Sequence, residues 1–343
     1  MRKIIYISII LISIQLHAQT YGNLTGNTQL NYQTFQEDIA IGANERPSFS
    51  SGYTNLLYTY NQFTIGTRLE IFNNAIPGIE QYEGYGVANK FAQYKNHFLD
   101  ITIGNFYDEF GSGLIFRTYF DSNLGIDNSI NGWRIKIKPI EGIYITGLIG
   151  KQRSFWDYGD GMVKAFNTDI SLNSLFLKNW KSYINLGFSF VTKKEDDNDP
   201  LYILPNNVGA LNGRMNITKG NTSINLDYAY KINDPSSDNN YIYQNGHGLI
   251  LTANYSKKGI GFSMGFKRIQ NMSFRSERNA ILQDLNINYI TPFTKQQAYS
   301  LATIYPYSSQ PNGEMGAQFD IYYMIPKKSK IGGKYGTSIN INF

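Results

Sequence analysis

Apolar and polar residues alternate with a period of two along most of this chain. In 183–191, Ile184, Leu186, Phe188 and Phe190 share one parity against Asn185, Gly187 and Ser189. In 222–230, Ile224, Leu226, Tyr228 and Tyr230 oppose Asn225 and Asp227. In 259–267, Ile260, Phe262, Met264 and Phe266 oppose Gly261, Ser263, Gly265 and Lys267. Phe63, Ile65, Leu69 and Ile71 oppose Thr64, Gly66, Arg68 and Glu70, and Leu285, Ile287 and Tyr289 oppose Asn286 and Asn288. Successive side chains of a strand point to opposite faces, so this is a strand pattern with one bulky apolar face and one small or polar face. It predicts strands over 22–35, 51–60, 63–72, 82–94, 97–105, 132–139, 142–151, 164–174, 181–192, 208–217, 221–231, 247–256, 259–269, 282–291, 298–306, 315–325 and 335–343.

The connections decide between a soluble sandwich and a barrel. Long gaps (36–50, 73–81, 106–131, 152–163, 193–207, 232–246, 270–281, 307–314) alternate with short ones such as Asn61-Gln62, Glu141-Gly142 and Lys257-Lys258. Transmembrane barrels join strands by short turns at one end and longer loops at the other. A sandwich has no reason to keep that parity. Charge follows the same split. Short turns carry Lys95, Lys178, Lys181, Lys219, Lys257 and Lys258, and long loops carry most of the acids, with Glu141, Arg275 and Arg278 as exceptions. The expected fold is therefore all-β, a transmembrane antiparallel up-and-down β-barrel of roughly 16–18 strands.

The first residues fit export. Met1-Arg2-Lys3 precedes an apolar run from Ile4 to Leu16, and His17-Ala18-Gln19 offers a small residue before a polar one. That run is too short to span a bilayer comfortably and reads as a signal peptide over 1–18, with the barrel over 19–343. No later apolar run approaches the roughly 20 residues a membrane helix needs. The expected location is the outer membrane of a Gram-negative bacterium.

In a barrel the apolar parity meets outer-membrane lipid and the polar parity faces the lumen. Trp133, Trp180, Tyr58, Tyr94, Tyr183 and Tyr255 lie near strand ends, where interface girdles form. Arg134, Lys136 and Lys138 share one face of 132–139 and should line the lumen as a basic ladder, since each would cost a few kcal/mol in lipid. Arg68, Lys90 and Lys267 join that lumen set, with Glu70, Asp100, Asp169, Asp227 and Asp320 as counter-charges. Two readings stand side by side: an electrostatic filter favouring anions, or a self-neutralising network that stiffens the wall.

Segment 106–131 is too long and too apolar for a solvated loop. Either it folds into the mouth, with Glu109, Arg117 and Asp127 lining a constriction, or 112–120 is a further strand. A strand there would swap the long and short ends downstream, which favours the inward loop.

Composition agrees: Tyr 27, Phe 21 and Gly 32 suit strands and turns. The formal charge of +5 falls to about +3 once Arg2 and Lys3 leave, too little for a nucleic-acid partner. With no Cys there are no disulfides, thiolate metal sites or lipidated N-terminal Cys. Only His97 and His247 remain after signal removal, without metal-ligand spacing. Asp196-Asp197-Asn198-Asp199 lacks the Gly and terminal Glu of a calcium loop. No nucleophile and base stand together. No catalytic residue, cofactor site or metal site is assigned, and the chain reads as a non-enzyme.

The runs Phe110-Gly-Ser-Gly-Leu-Ile-Phe-Arg117, Leu124-Gly-Ile-Asp-Asn-Ser-Ile-Asn-Gly-Trp133 and Gly150-Lys-Gln-Arg153 resemble an uncharacterised outer-membrane barrel family of the Bacteroidota, domain-of-unknown-function family 6029. The resemblance implies a barrel and its location. It carries no functional residue. The first functional expectation is a porin-like, passive or weakly selective channel for small polar or anionic solutes. The alternative is a non-conducting binding or assembly component with envelope protein partners, in a secretion or surface-display system. A soluble secreted sandwich is the third. Oligomeric state stays open. Seventeen strands is an odd number, whereas bacterial single-chain barrels have even ones. Either an element near 112–120 is misassigned or the chain stops before its barrel closes.

Overall fold

Among the described residues, fifteen strands follow one another as an antiparallel meander in a single sheet. The structure, a computed structural model, describes residues 22–42, 44–75, 79–122, 125–280, 284–293 and 309–343. The wall comprises β1 (Asn23–Gln33), β2 (Phe49–Tyr60), β3 (Phe63–Asn73), β4 (Gly84–Lys95) and β5 (Leu99–Phe106). After the two-residue strands β6 (Phe120–Asp121) and β7 (Ile126–Asp127), which pair only with each other, it continues. The later wall strands are β8 (Ile130–Ile140), β9 (Ile143–Ser154), β10 (Asp157–Ser171), β11 (Ser182–Lys194), β12 (Asn207–Lys219), β13 (Thr222–Lys231), β14 (Gly246–Lys257), β15 (Ile260–Gln270), β16 (Gly313–Ile325) and β17 (Thr337–Asn342). Among the described residues, no helix is long and apolar enough to cross a membrane.

Turn chemistry sets the two ends. β2–β3, β8–β9, β12–β13 and β14–β15 are joined by two-residue loops, each with one residue at positive φ: Asn61, Gly142, Gly220 and Gly259. Asn and Gly accept that conformation most readily. The opposite end carries the long connections.

The register makes both faces continuous. Trp133 lies opposite Ile103 and Ile149, and Phe190 opposite Phe166 and Leu211. These residues are exposed and form an apolar outer belt. On the other face, Asp227 lies opposite Arg214 and Ile250, and Arg134 opposite Thr102 and Leu148. The sheet curls around that second face: the segment leaving β5 reaches Arg68 on β3 through Tyr107 and Asp227 on β13 through Ser112. Among the described residues, β1 pairs only with β2 and β17 only with β16.

Two sequence expectations change, and two lie outside the described residues. The described part of the expected strand 282–291, residues 284–291, is not a wall strand, because β15 pairs directly with β16 and 284–290 bonds instead to the segments at 113–117 and 274–276. The expected strand 298–306 and the signal peptide 1–18 lie outside the described residues. The expected loop 152–163 is instead the extended tip of the β9–β10 hairpin, joined through Phe155 and Trp156. Among the described residues the wall sheet has fifteen strands, and the β6–β7 pair brings the antiparallel strands to seventeen. The segment 112–120 contributes none of the wall strands.

Candidate constriction inside the barrel

The long-loop half of the interior is filled by the chain itself. Residues 107–118 leave β5, double back on themselves and meet 272–280 and 284–290. Phe110 N–H donates to Phe116 O, Thr118 N–H to Asp108 O, Arg117 N–H to Ile287 O, Tyr289 N–H to Gly113 O, and Ile287 N–H to Phe274 O. Leu114, Ile115, Phe116, Met272, Phe274 and Ile287 are buried there against Val191, Val208, Ala229 and Ile269 of the wall. At about 1.5–3 kcal/mol per fully buried large apolar side chain, this packing holds both segments in place. Gly248 lets Leu114 reach the wall: a Cβ there would come within 3.0 Å of the Leu114 side chain.

The residues singled out in the sequence fall into three groups rather than one ring. Arg68, Glu70 and Asp127 meet in the first, together with Arg153. Arg68 reaches Glu70 at 2.6 Å and also Asp127. Arg153 reaches Glu70 at 2.8 Å and Asp127 at 2.5 Å. The Tyr107 hydroxyl donates to Asp127 at 2.9 Å, and Phe120 stacks on the Arg68 guanidinium at 3.8 Å. All four charged side chains are at most 6% exposed. Two cations and two anions cancel, which is what lets them be buried. Burial, then the Asp127 carboxylate, pushes the Tyr107 phenol above its ordinary range, so it stays a donor.

The second group is the basic ladder, and it is matched. Asp108 of the inward segment sits 2.8 Å from Lys136 and 3.5 Å from Arg134. Asp100 lies 3.8 Å from Arg134, and Glu141 2.5 Å from Lys138. Glu141, an exception to the charge sorting, is thus the partner of the lowest rung. The third group is Glu109 and Arg117, 3.8 Å apart and facing each other across the hairpin of the inward segment. The Arg117 guanidinium lies 4.2 Å over Tyr289 and 5.2 Å over Tyr119. With side chains 43% and 31% exposed, this pair is far more open than the first group.

Two anchors go beyond the sequence expectation, although Asp227 is among the expected lumen counter-charges. At the tip of 107–118, Asp227 accepts from the Ser112 hydroxyl at 2.6 Å and its N–H at 3.1 Å. Gly111 lies so close to Arg214 that a Cβ would be 2.1 Å from its Cδ. The other anchor binds 271–280: Arg278 reaches Asp234 at 3.1 Å and Glu195 at 3.3 Å, and Lys193 reaches the same two at 2.9 and 3.3 Å. Arg278 had stood out as a cation on the acidic side. That exception was the available signal for a segment folded onto buried acids.

The family pattern described as a family of unknown function, DUF6029, matches residues 1–343. The chain belongs to that family. No curated protein matches it. Solved structures similar to this DUF6029 chain include a BenF-like porin from Pseudomonas fluorescens Pf-5, at 10% identity and TM-score 0.38, covering 94% of this chain and 92% of that one. Salmonella typhi OmpF, in complex with daunomycin, is similar at 9% identity and TM-score 0.41 over 94% and 89% of the two chains. Pseudomonas aeruginosa OccK2 (OpdF), in complex with glucuronate, is similar at 8% identity and TM-score 0.38 over 93% and 90%. These are resemblances in outline, and the strand pairing above is what defines the architecture here.

Proposed function

We propose that this DUF6029 chain is an outer-membrane β-barrel protein acting as a porin-like channel for small polar solutes, narrowed from within by 107–118. The observation that carries the reading is the two-faced wall: apolar and exposed outside, polar and matched inside. Hydrocarbon offers backbone groups no partner, so a sheet can cross it only as a barrel wall. The constriction is framed by Glu109 and Arg117 on the inward segment and by Arg134, Lys136 and Lys138 on β8. Arg68, Glu70 and Asp127 serve as the buried fixture that holds the segment. Because the ladder carries its own counter-charges, strong anion preference is not part of the proposal.

The test is single-channel recording from the full chain refolded into planar bilayers. Discrete, ohmic conductance steps with weak ion preference are expected. A folded barrel that carries no current would favour the second reading, a non-conducting binding or assembly component. The buried core of Leu114, Ile115, Phe116 and Phe274 across the interior supports that alternative.

A further inference from the structure

In the short-turn half, the inward face between β11 and β14 is mostly uncharged and rich in amides. Asn185, Asn216, Asn225 and Thr252, with Ser112 of the inward tip and Arg214, border a cavity of about 340 Å3. Small-molecule sites span about 300–1,000 Å3. Asn216 donates to Asn225, and Asn225 donates to the Thr252 hydroxyl at 3.0 Å. That relay uses only part of each group. The Asn216 carbonyl oxygen remains as an acceptor at one end, and the Thr252 hydroxyl hydrogen as a donor at the other.

The charged residues that also border the cavity, Asp169, Arg214 and Asp227, are engaged with each other or with neighbouring side chains. Arg214 reaches Asp169 at 2.8 Å and Asn167 at 2.6 Å. Asp227 holds Ser112 and Asn212. One guanidinium against two carboxylates leaves a single negative charge, so an anion entering here meets repulsion. A neutral hydroxylated solute meets alternating donors and acceptors and brings no charge to desolvate.

We infer that this cavity is a subsite for neutral polyhydroxylated solutes of the saccharide class, retained beneath the inward tip. The inference rests on the channel reading and names its solute class. Maltotriose added to the full chain in planar bilayers should interrupt the ion current in a concentration-dependent way, and gluconate at equal concentration should not. Asn225→Leu, or Thr252→Val if the first does not fold, removes one or two hydrogen bonds and should raise the half-blocking concentration about tenfold. Current indifferent to maltotriose, equal block by gluconate, or an unshifted half-blocking concentration would overturn the subsite. If no current flows at all, the channel reading fails separately. Calorimetric titration of the detergent-folded barrel with maltotriose then decides the subsite: binding weakened in the variant supports it, and no binding overturns it.

Discussion

Arg153 sits in the parity of Ile149 and Lys151, and its strand's alternation alone would send it outward. It is 3% exposed, because the tip of the β9–β10 hairpin leans over the interior, with Trp156 Nε1 donating to Tyr82 O at 2.8 Å. Removing it would leave Glu70 and Asp127 buried with one guanidinium for two carboxylates. Arg153→Ala should therefore cost about 3–5 kcal/mol of stability, read as an earlier urea-unfolding midpoint of the detergent-folded barrel. Arg153→Lys should recover only part, since an ammonium cannot bridge two carboxylates as a planar fork does. Lys138→Ala is the contrast. Its pair with Glu141 is solvent-screened, with Glu141 72% exposed, and no measurable shift is expected. Arg68, Glu70 and Asp127 were legible as lumen residues because they follow strand parity or the inward loop. Arg153 was not, since its placement depends on how a hairpin tip bends.

At the level of elements, the two inward segments decide what the interior can pass. Excising Gly111–Phe116 and closing the gap with two glycines should raise single-channel conductance several-fold, because the tip reaches the opposite wall at Asp227 and Gly248. Unaltered conductance would mean that the tip does not set the narrowest point. The apolar length of 106–131 made this segment conspicuous in the sequence. Its partner, 284–290, was disguised. Leu285 and Ile287 are both buried, but Leu285 turns through a left-handed backbone (φ 53°), and the segment's neighbours are the backbones of 113–117 and 274–276 rather than wall strands. Alternation reports that one face is buried in something apolar. It does not say whether that is lipid or a core. The hairpin tip at 157–161 misled for another reason. Gly159 and Gly161 look like loop residues, yet a Cβ on Gly161 would lie 2.0 Å from Ser276 O, so glycine there admits the close approach of the second inward segment.

At the scale of the whole molecule, thirteen of the predicted elements before residue 271 and two after it became wall strands, because period-two patterning repeats in every one of them. Which segments belong to the wall was the harder inference, since the interior chain at 284–291 carries the same alternation in its sequence. Membrane placement can be read from the three tryptophans, which the fold puts in different surroundings. Trp133 lies on the outer belt between Ile103 and Ile149 toward the long-loop end and is 55% exposed. Trp180 is 57% exposed in the connection before β11 at the short-turn end. Trp156 is turned inward against Phe72. Indole rings of a barrel girdle settle at the two lipid–water interfaces. In single-tryptophan variants reconstituted into vesicles, lipids brominated near the headgroup end of the acyl chain should quench Trp133 and Trp180 and leave Trp156 bright. Deeply brominated chains should quench the first two less. Equal, weak quenching of all three would mean that the apolar belt does not face lipid, and the membrane reading of the wall would fall with it.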